Sequence, residues 1–385
     1  MQAVVDFRGE GSDTPSRHEL GALECLLVAE HAGAVPRVLA QAYARARAGA
    51  WVAGFVSYES APAFDPAMAV HVPMPGLPLA CFGIYGSARD LAPVRLRVAG
   101  AADGADFCVG APWEPSVDAA TAMAHMERIR GAIARGEVYQ VNLTTRLRAS
   151  FRGDPLAYFH ALRRAQPDGY AMFLDGGAWQ LLSVSPELFF DWTPAGTLTA
   201  RPMKGTAPRD ADPQRDAQQM RRMLASPKEQ AENLMIVDLL RNDLSRVAEA
   251  GSVQVPRLFA AEALPTVWQM TSTVSCRSRA GVGLDDVFAA LFPCGSVTGA
   301  PKIAAMAAIR ALEGEPRGVY CGALGLIRPG GHASFSVGIR TVMVDATLGR
   351  AECGIGSGIT WDSSALGEWD EWQLKQRFLA RATRA

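Results

Sequence analysis

Lysine is nearly absent from this chain of 385 residues: of 38 basic side chains only four, Lys204, Lys228, Lys302 and Lys375, are lysines. Either they are survivors of a drift toward arginine, or they stand where guanidinium cannot serve. An amine can lose its proton and act as nucleophile or base, and as an ammonium it is a compact point charge. Cysteine is sparse too. Seven thiols are scattered with no C-x-x-C pair, which reads as reduced cysteines in a cytoplasmic protein. No run of about 18 apolar residues suggests a membrane span. A net charge of −1 without a basic stripe argues against nucleic acid as a partner. The N-terminus lacks a charged start followed by an apolar stretch, so no secretory signal is expected. Also missing are G-x-S-x-G, H-E-x-x-H and a G-x-C-x-G glutaminase elbow, so the chain carries no hydrolase nucleophile or zinc pair of those kinds.

What is present is long enough for two domains or one large interwoven one. A polar, small-residue stretch at 98–115 suggests a connection, dividing an N-terminal subdomain (1–110) from a larger domain (116–385). Strands are expected at 51–58, as short pieces over 76–91, and at 138–147, 181–192, 198–203, 319–327, 334–344 and 351–359. Helices are expected at 118–135, 226–247, 301–312 and 366–380. The helix at 226 has a full start signal: Ser226 as cap, Pro227 at the first position and Glu229 completing a capping box. Strands and helices do not alternate one for one. This favours an α+β fold with antiparallel sheets over a doubly wound parallel one.

Four glutamates form two matched pairs. Glu229 and Glu232 are three apart on one helix, and Glu368 and Glu371 repeat the spacing on the last, with Lys375 one turn on. Brought together they make an oxygen-rich site suited to Mg²⁺; taken singly, Glu229 is a cap residue and Glu368 a solvated one. The G-S-V-T-G-A-P-K run from Gly295 to Lys302 enters a helix and offers backbone N–H groups to an anion. It is not a Walker loop, and Gly354-Ile355-Gly356-Ser357-Gly358 fails the dinucleotide spacing. Both are small-anion loops or tight turns. Lys204 sits between Pro202-Met203 and Gly205, held on a constrained turn or simply a surface charge. Glu187, at the end of an apolar run, can be a carboxylic acid with a raised pKa, fit for proton donation. Gln140 completes the polar set.

Together these segments resemble the chorismate-utilising enzymes. The matching stretches are 136–144, 185–187, 201–206, 232–243, 292–302, 317–323, 339–341 and 353–371, in family order, and all four lysines fall in or beside them. The resemblance implies two antiparallel β-sheets packed as a sandwich with helices outside. It also implies that Glu232 and Glu371 bind Mg²⁺ directly, with Glu229 and Glu368 acting directly or through water. The metal would hold the ring carboxylate of chorismate. Tyr320 and Arg340 match positions that bind the enolpyruvyl carboxylate. Thr298, Gly299, Gly356 and Lys375 line the family's pocket, and Glu187 matches the acid that protonates the departing C4 hydroxyl.

Lys204 divides the family. Anthranilate- and isochorismate-forming members usually carry alanine there; the aminodeoxychorismate synthases carry lysine. Gln140 agrees, because water-adding members have a lysine base at that place. The resemblance implies that Lys204 attacks C2 and that ammonia then displaces it at C4, on the way to p-aminobenzoate and folate. Ammonia would come from a separate glutamine amidotransferase partner. Most relatives carry a histidine where this chain has Gln269, whose amide can hydrogen-bond near C4 but cannot take up a proton. The alternatives are an anthranilate synthase component and, remotely, a non-catalytic chorismate-binding regulatory subunit.

Overall fold

The computed structural model describes residues 1–8, 15–91, 107–167, 169–263 and 267–383. Every strand pairing in it is antiparallel, and the strands join into one hydrogen-bonded ribbon that doubles back on itself. One layer holds the strands Trp51–Val56, Ala80–Asp90, Leu188–Trp192, Thr197–Arg201, Val267–Arg277, Ala323–Arg328 and His332–Val337. The other holds Gln140–Gly153, Tyr170–Asp175, Trp179–Ser185, Thr341–Asp345 and Arg350–Ile359. Gln2–Arg8 and Pro15–Ala29 connect the two along one edge.

Alternation along the strands explains the layering. Ala53 and Phe55 of one layer meet Met172, Leu174 and Leu181 of the other in an inner core, while Val52 and Val56 face outward. Phe55 packs edge-on to Trp179 across the gap, 5.3 Å between ring centres. The outer face of the first layer is covered by helices Val35–Arg47, Pro227–Ser245 and Leu284–Leu291. That of the second is covered by Ala119–Ala134, Pro155–Ala165, Ala365–Lys375 and Arg377–Ala382. The result is the expected α+β sandwich with helices outside. Because Trp51–Val56 pairs with Ala323–Arg328, residues from before 110 and after 116 share one sheet. Of the connection expected at 98–115, the part through 106 lies outside the described residues; Phe107–Val109 and Glu114–Pro115 run beside the strand Gln140–Gly153.

Several boundaries differ from expectation, each for a physical reason. The 76–91 stretch is a single long strand, Ala80–Asp90, continuous because it pairs on both sides. The 181–192 strand is two, broken at Pro186-Glu187 where the chain crosses between layers. The 334–344 strand likewise divides at 338–340, with Arg340 at φ +48°. The 198–203 strand is interrupted at Pro202. The last helix divides at Gln376, and the strand expected from 319 begins at Ala323.

A buried charge network ties the layers behind the inner core. Glu313 accepts Arg317 Nη2 at 2.6 Å and Nε at 2.9 Å, and the backbone N–H and hydroxyl of Thr144, both at 2.9 Å. Arg317 stacks on Tyr58 at 4.7 Å, and Arg146 lies over the Tyr320 ring at 5.1 Å. Removing one member of a buried pair strands the other charge, at about 3–5 kcal/mol. Glu313→Ala is therefore expected to lower unfolding free energy by about that amount in a denaturant titration; a loss below about 1 kcal/mol would show that water replaces the carboxylate at no cost.

Candidate active site

The two layer crossings lie against each other. Val184 N–H donates to the Arg340 carbonyl at 3.1 Å, and Val337 N–H donates to the Glu187 carbonyl at 3.1 Å. Glu187 and Arg340 thus sit where the sheet is broken, in backbone that serves placement of side chains over regularity. Glu187 is buried, and Ser296 Oγ donates to its Oε1 at 2.6 Å. Desolvation raises its pKa to about 7, although the Ser296 hydrogen bond and the nearby Lys204 and Lys375 pull the other way. The Arg340 guanidinium is pushed down to about 10 by burial and has no ion-pair partner among the described residues. A desolvated guanidinium without a carboxylate is suited to an anionic ligand.

The strand Arg350–Ile359 explains the glycine run. Ile355 and Ile359 face the outer core, so 354, 356 and 358 face inward, and each glycine admits a neighbour where a Cβ would collide. At Gly354 it is the Tyr320 ring, 2.2 Å from where that carbon would stand; at Gly356 it is the Leu143 carbonyl, at 2.3 Å. At Gly358 it is Gln140 Nε2 at 2.5 Å and Lys204 Nζ at 2.9 Å. The run is a flat floor for other side chains. Gln140 is fully buried, and neither end of its amide has a hydrogen-bond partner. Leaving a buried polar group unmatched costs about 1–3 kcal/mol, so this amide, near the Lys204 amine, is suited in kind to a hydrogen-bonding ligand.

The glutamates approach from two helices. Glu229 is raised by burial and by Glu232 beside it, with Glu371 adding and Lys228 and Lys204 opposing. Glu232 is raised by burial, against Lys204 and Lys228; Glu368 adds to the rise, and Thr360 Oγ1 donates to it at 3.4 Å. Burial would also raise Glu371, but Lys375 at 2.6 Å, with Lys204 and Lys228, leaves it below its ordinary value. Glu368 accepts Ser357 Oγ at 2.5 Å and Ser363 Oγ at 2.6 Å. Among the described residues no three His, Cys, Asp or Glu side chains stand at metal-binding spacing. The four carboxylates offer oxygen donors only and feel one another's charge, which in kind suits a hard divalent ion.

The remaining expected residues divide by what they touch. Lys375 Nζ donates to the Gly356 carbonyl at 2.9 Å, and Tyr320 is buried over Gly354. The Thr298 hydroxyl donates to the carbonyls of Cys294 and Gly295, so it shapes its own loop. Gly299, at φ +141°, leaves room for the Gln140 carbonyl, 2.1 Å from where a Cβ would be. Gln269 holds Gly205 and Thr206. Lys302 pairs with buried Asp243 at 2.9 Å, fastening the Pro227–Ser245 helix to the loop. Ser296, Ser357, Ser363 and Thr360 escaped notice in the sequence. Hydroxyls carry no periodic signal, and the only hint was that Ser296 and Ser357 lie within glycine-rich runs.

The family described as chorismate binding enzyme matches residues 108–381. The aminodeoxychorismate synthase component 1 of Klebsiella aerogenes is 42% identical over 269 residues, 69% of this chain and 58% of that one. Its counterpart in Escherichia coli (strain K12) is 38% identical over 266 residues, with the same coverage of each chain, 69% and 58%. The anthranilate synthase component 1 of Methanothermobacter thermautotrophicus is 39% identical over 250 residues, 65% of this chain and 53% of that one. The matched stretch thus spans little more than half the length of these relatives. The crystal structure of anthranilate synthase component I from Streptococcus pneumoniae TIGR4 superposes with a TM-score of 0.76 at 25% identity, covering 98% of this chain and 90% of that one. The menaquinone-specific isochorismate synthase MenF of Escherichia coli shares the fold, with a TM-score of 0.76 at 18% identity over 99% and 88% of the two chains. No helix among the described residues is long and apolar enough to cross a membrane. With the ordered motifs, the fold and the matched residues in agreement, this chain belongs to the chorismate binding enzyme family.

Proposed function

We propose that the protein aminates chorismate to 4-amino-4-deoxychorismate, the precursor of p-aminobenzoate for folate. Ammonia would come from a glutamine amidotransferase subunit. The observation that carries this reading is the meeting of Lys204 Nζ with the unmatched Gln140 amide over Gly358. An amine beside an unmatched buried amide supports a nucleophilic role for Lys204 toward a bound substrate. Glu187, whose pKa burial raises to about 7, supplies the second group the chemistry needs.

The reaction is two allylic displacements. In the first, the neutral Lys204 amine forms a C–N bond at C2 as both ring double bonds shift and the C4–O bond breaks. Glu187 gives its proton to the departing hydroxyl, which leaves as water, and the new secondary amine sheds one proton. In the second, ammonia bonds to C4, the ring double bonds return and the C2–N bond breaks, while one proton passes from the incoming nitrogen to the departing one, restoring the neutral Lys204 amine. Arg340 and Tyr320 would hold the enolpyruvyl carboxylate, and Lys375 would contribute charge beside the glycine floor. Glu232 and Glu371, with Glu229 and Glu368, would hold Mg²⁺. The ion supplies neutralisation of the ring carboxylate and withdrawal of electrons from the ring.

One incubation tests the reading: chorismate, Mg²⁺ and ammonium, with mass analysis of the product. An aminated chorismate that keeps its enolpyruvyl group is expected, and turnover should stop in chelator. Anthranilate with pyruvate would overturn the choice of product in favour of the anthranilate-forming relatives. Undiminished turnover in chelator would overturn the metal assignment.

A further inference from the structure

We infer that Gln269 is a positioning residue for Lys204, closing the β-bulge from which that lysine projects; this rests on the reading of Lys204 as nucleophile. Strand Met203–Pro208 pairs with Val267–Arg277 at Pro208↔Val267, Ala207↔Trp268 and Thr206↔Gln269, and then slips to Met203↔Thr271. Three residues advance on one side against two on the other, so the extra residue falls at Lys204-Gly205. A bulge of this kind turns a side chain away from the regular alternation and frees backbone groups from the ladder. Here it turns Lys204 toward Gly358. Gly205 makes the turn possible at φ +94°.

The freed groups have specific partners. Gln269 Nε2 donates to the Gly205 carbonyl at 2.8 Å, and Thr206 Oγ1 donates to Gln269 Oε1 at 3.2 Å. Both ends of the amide are therefore engaged on the bulge. From the other side, Glu229 Oε2 and Met270 Cβ close on Gly205 to within 2.9 and 3.2 Å of where its Cβ would stand. The bulge is clamped between the Pro227–Ser245 helix and the Gln269 amide, and Lys204 takes its aim from that clamp. Only a side chain with both a donor and an acceptor serves. A glutamate of the same shape can still accept from Thr206, but it sets a carboxylate oxygen against the Gly205 carbonyl.

The test is amination kinetics on the wild type, Gln269→Glu, Gln269→Ala, Lys204→Ala and the Lys204→Ala/Gln269→Glu double variant. Gln269→Glu and Gln269→Ala should lower kcat roughly ten- to a hundredfold, the scale of a misaimed reacting group. KM for chorismate should stay within about twofold, because the bound carboxylates are held elsewhere. In the Lys204→Ala background, Gln269→Glu should change the residual rate less than about twofold, since a residue acting through the lysine has nothing left to act through. Loss appearing as KM with kcat kept, or an equal loss in both backgrounds, would overturn the inference, as would wild-type kcat in Gln269→Glu. If instead the wild type fails to aminate, or Lys204→Ala matches it, the reading of Lys204 itself fails. Melting curves of each variant separate either result from misfolding.

Discussion

Replacing Lys204 by alanine should lower the amination rate about a thousandfold or more, equivalent to about 4 kcal/mol of transition-state stabilisation. The fold should be unaffected. Lys204 is only partly buried and makes no ion pair among the described residues, and the bulge that presents it is held by Gly205, Thr206 and Gln269. Lys204→Arg is the sharper comparison. Guanidinium keeps the positive charge beside Glu187, Glu229 and Glu232, so an electrostatic role would survive the change in large part. It cannot lose its proton to become a nucleophile. Steady-state kinetics with ammonium should therefore find both variants slowed about a thousandfold or more, and a Lys204→Arg that keeps most of the wild-type rate would reduce the residue to a charge near the ring.

Glu187→Gln should cost roughly a hundred- to ten-thousandfold, the usual range for loss of a general acid. The isosteric amide can still accept from Ser296, so packing is preserved while the proton is gone. The wild-type rate has a direction with pH. An acid must be protonated to act, and desolvation places the Glu187 pKa at about 7, so the rate should fall as pH rises through about 7. Glu187→Gln should lack that limb. The same shift acts on stability. Unfolded, the carboxyl takes its ordinary value of 4.5; folded, it titrates at about 7. Between those values the native state binds the extra proton, so stability falls as pH rises across that window. A pH–rate profile with an unchanged basic limb in Glu187→Gln would assign that limb to another group.

Much of this site was legible in the sequence, for reasons that can be named. Charge and conformational oddity leave local marks. Four lysines among 38 basic residues, glutamates three apart on two helices, and glycines at alternate positions along a strand are visible without coordinates. The capping of the Ser226 helix was equally plain, and Ser226 Oγ does accept from the Glu229 N–H at 3.4 Å. What periodicity missed were the interruptions. Glu187 and Arg340 lie where strands that read as continuous in fact pass between layers, because apolar residues continue on both sides of the break. The N-terminal strands Gln2–Arg8 and Pro15–Ala29 gave no clear periodic signal; they pair with each other, and each is also held by a strand far along the chain, at 170–175 and 80–90. The Lys204 bulge was invisible for a related reason: a slip of register exists only between two strands. Gln269 read as a stand-in for a histidine, whereas its place in the ladder gives it a distinct task.

The central claim is that Lys204 forms a covalent bond to the substrate ring. It is tested most directly by incubating the protein with chorismate and Mg²⁺ in the absence of any ammonia source, quenching in acid, and weighing the intact chain and its Lys204 peptide. Without ammonia the second displacement cannot occur, so the protein should gain the mass of chorismate less one water, confined to Lys204, and release it as aminated chorismate when ammonium is restored. A protein that turns over chorismate when ammonium is added, yet carries no such adduct at Lys204 beforehand, would contradict the account.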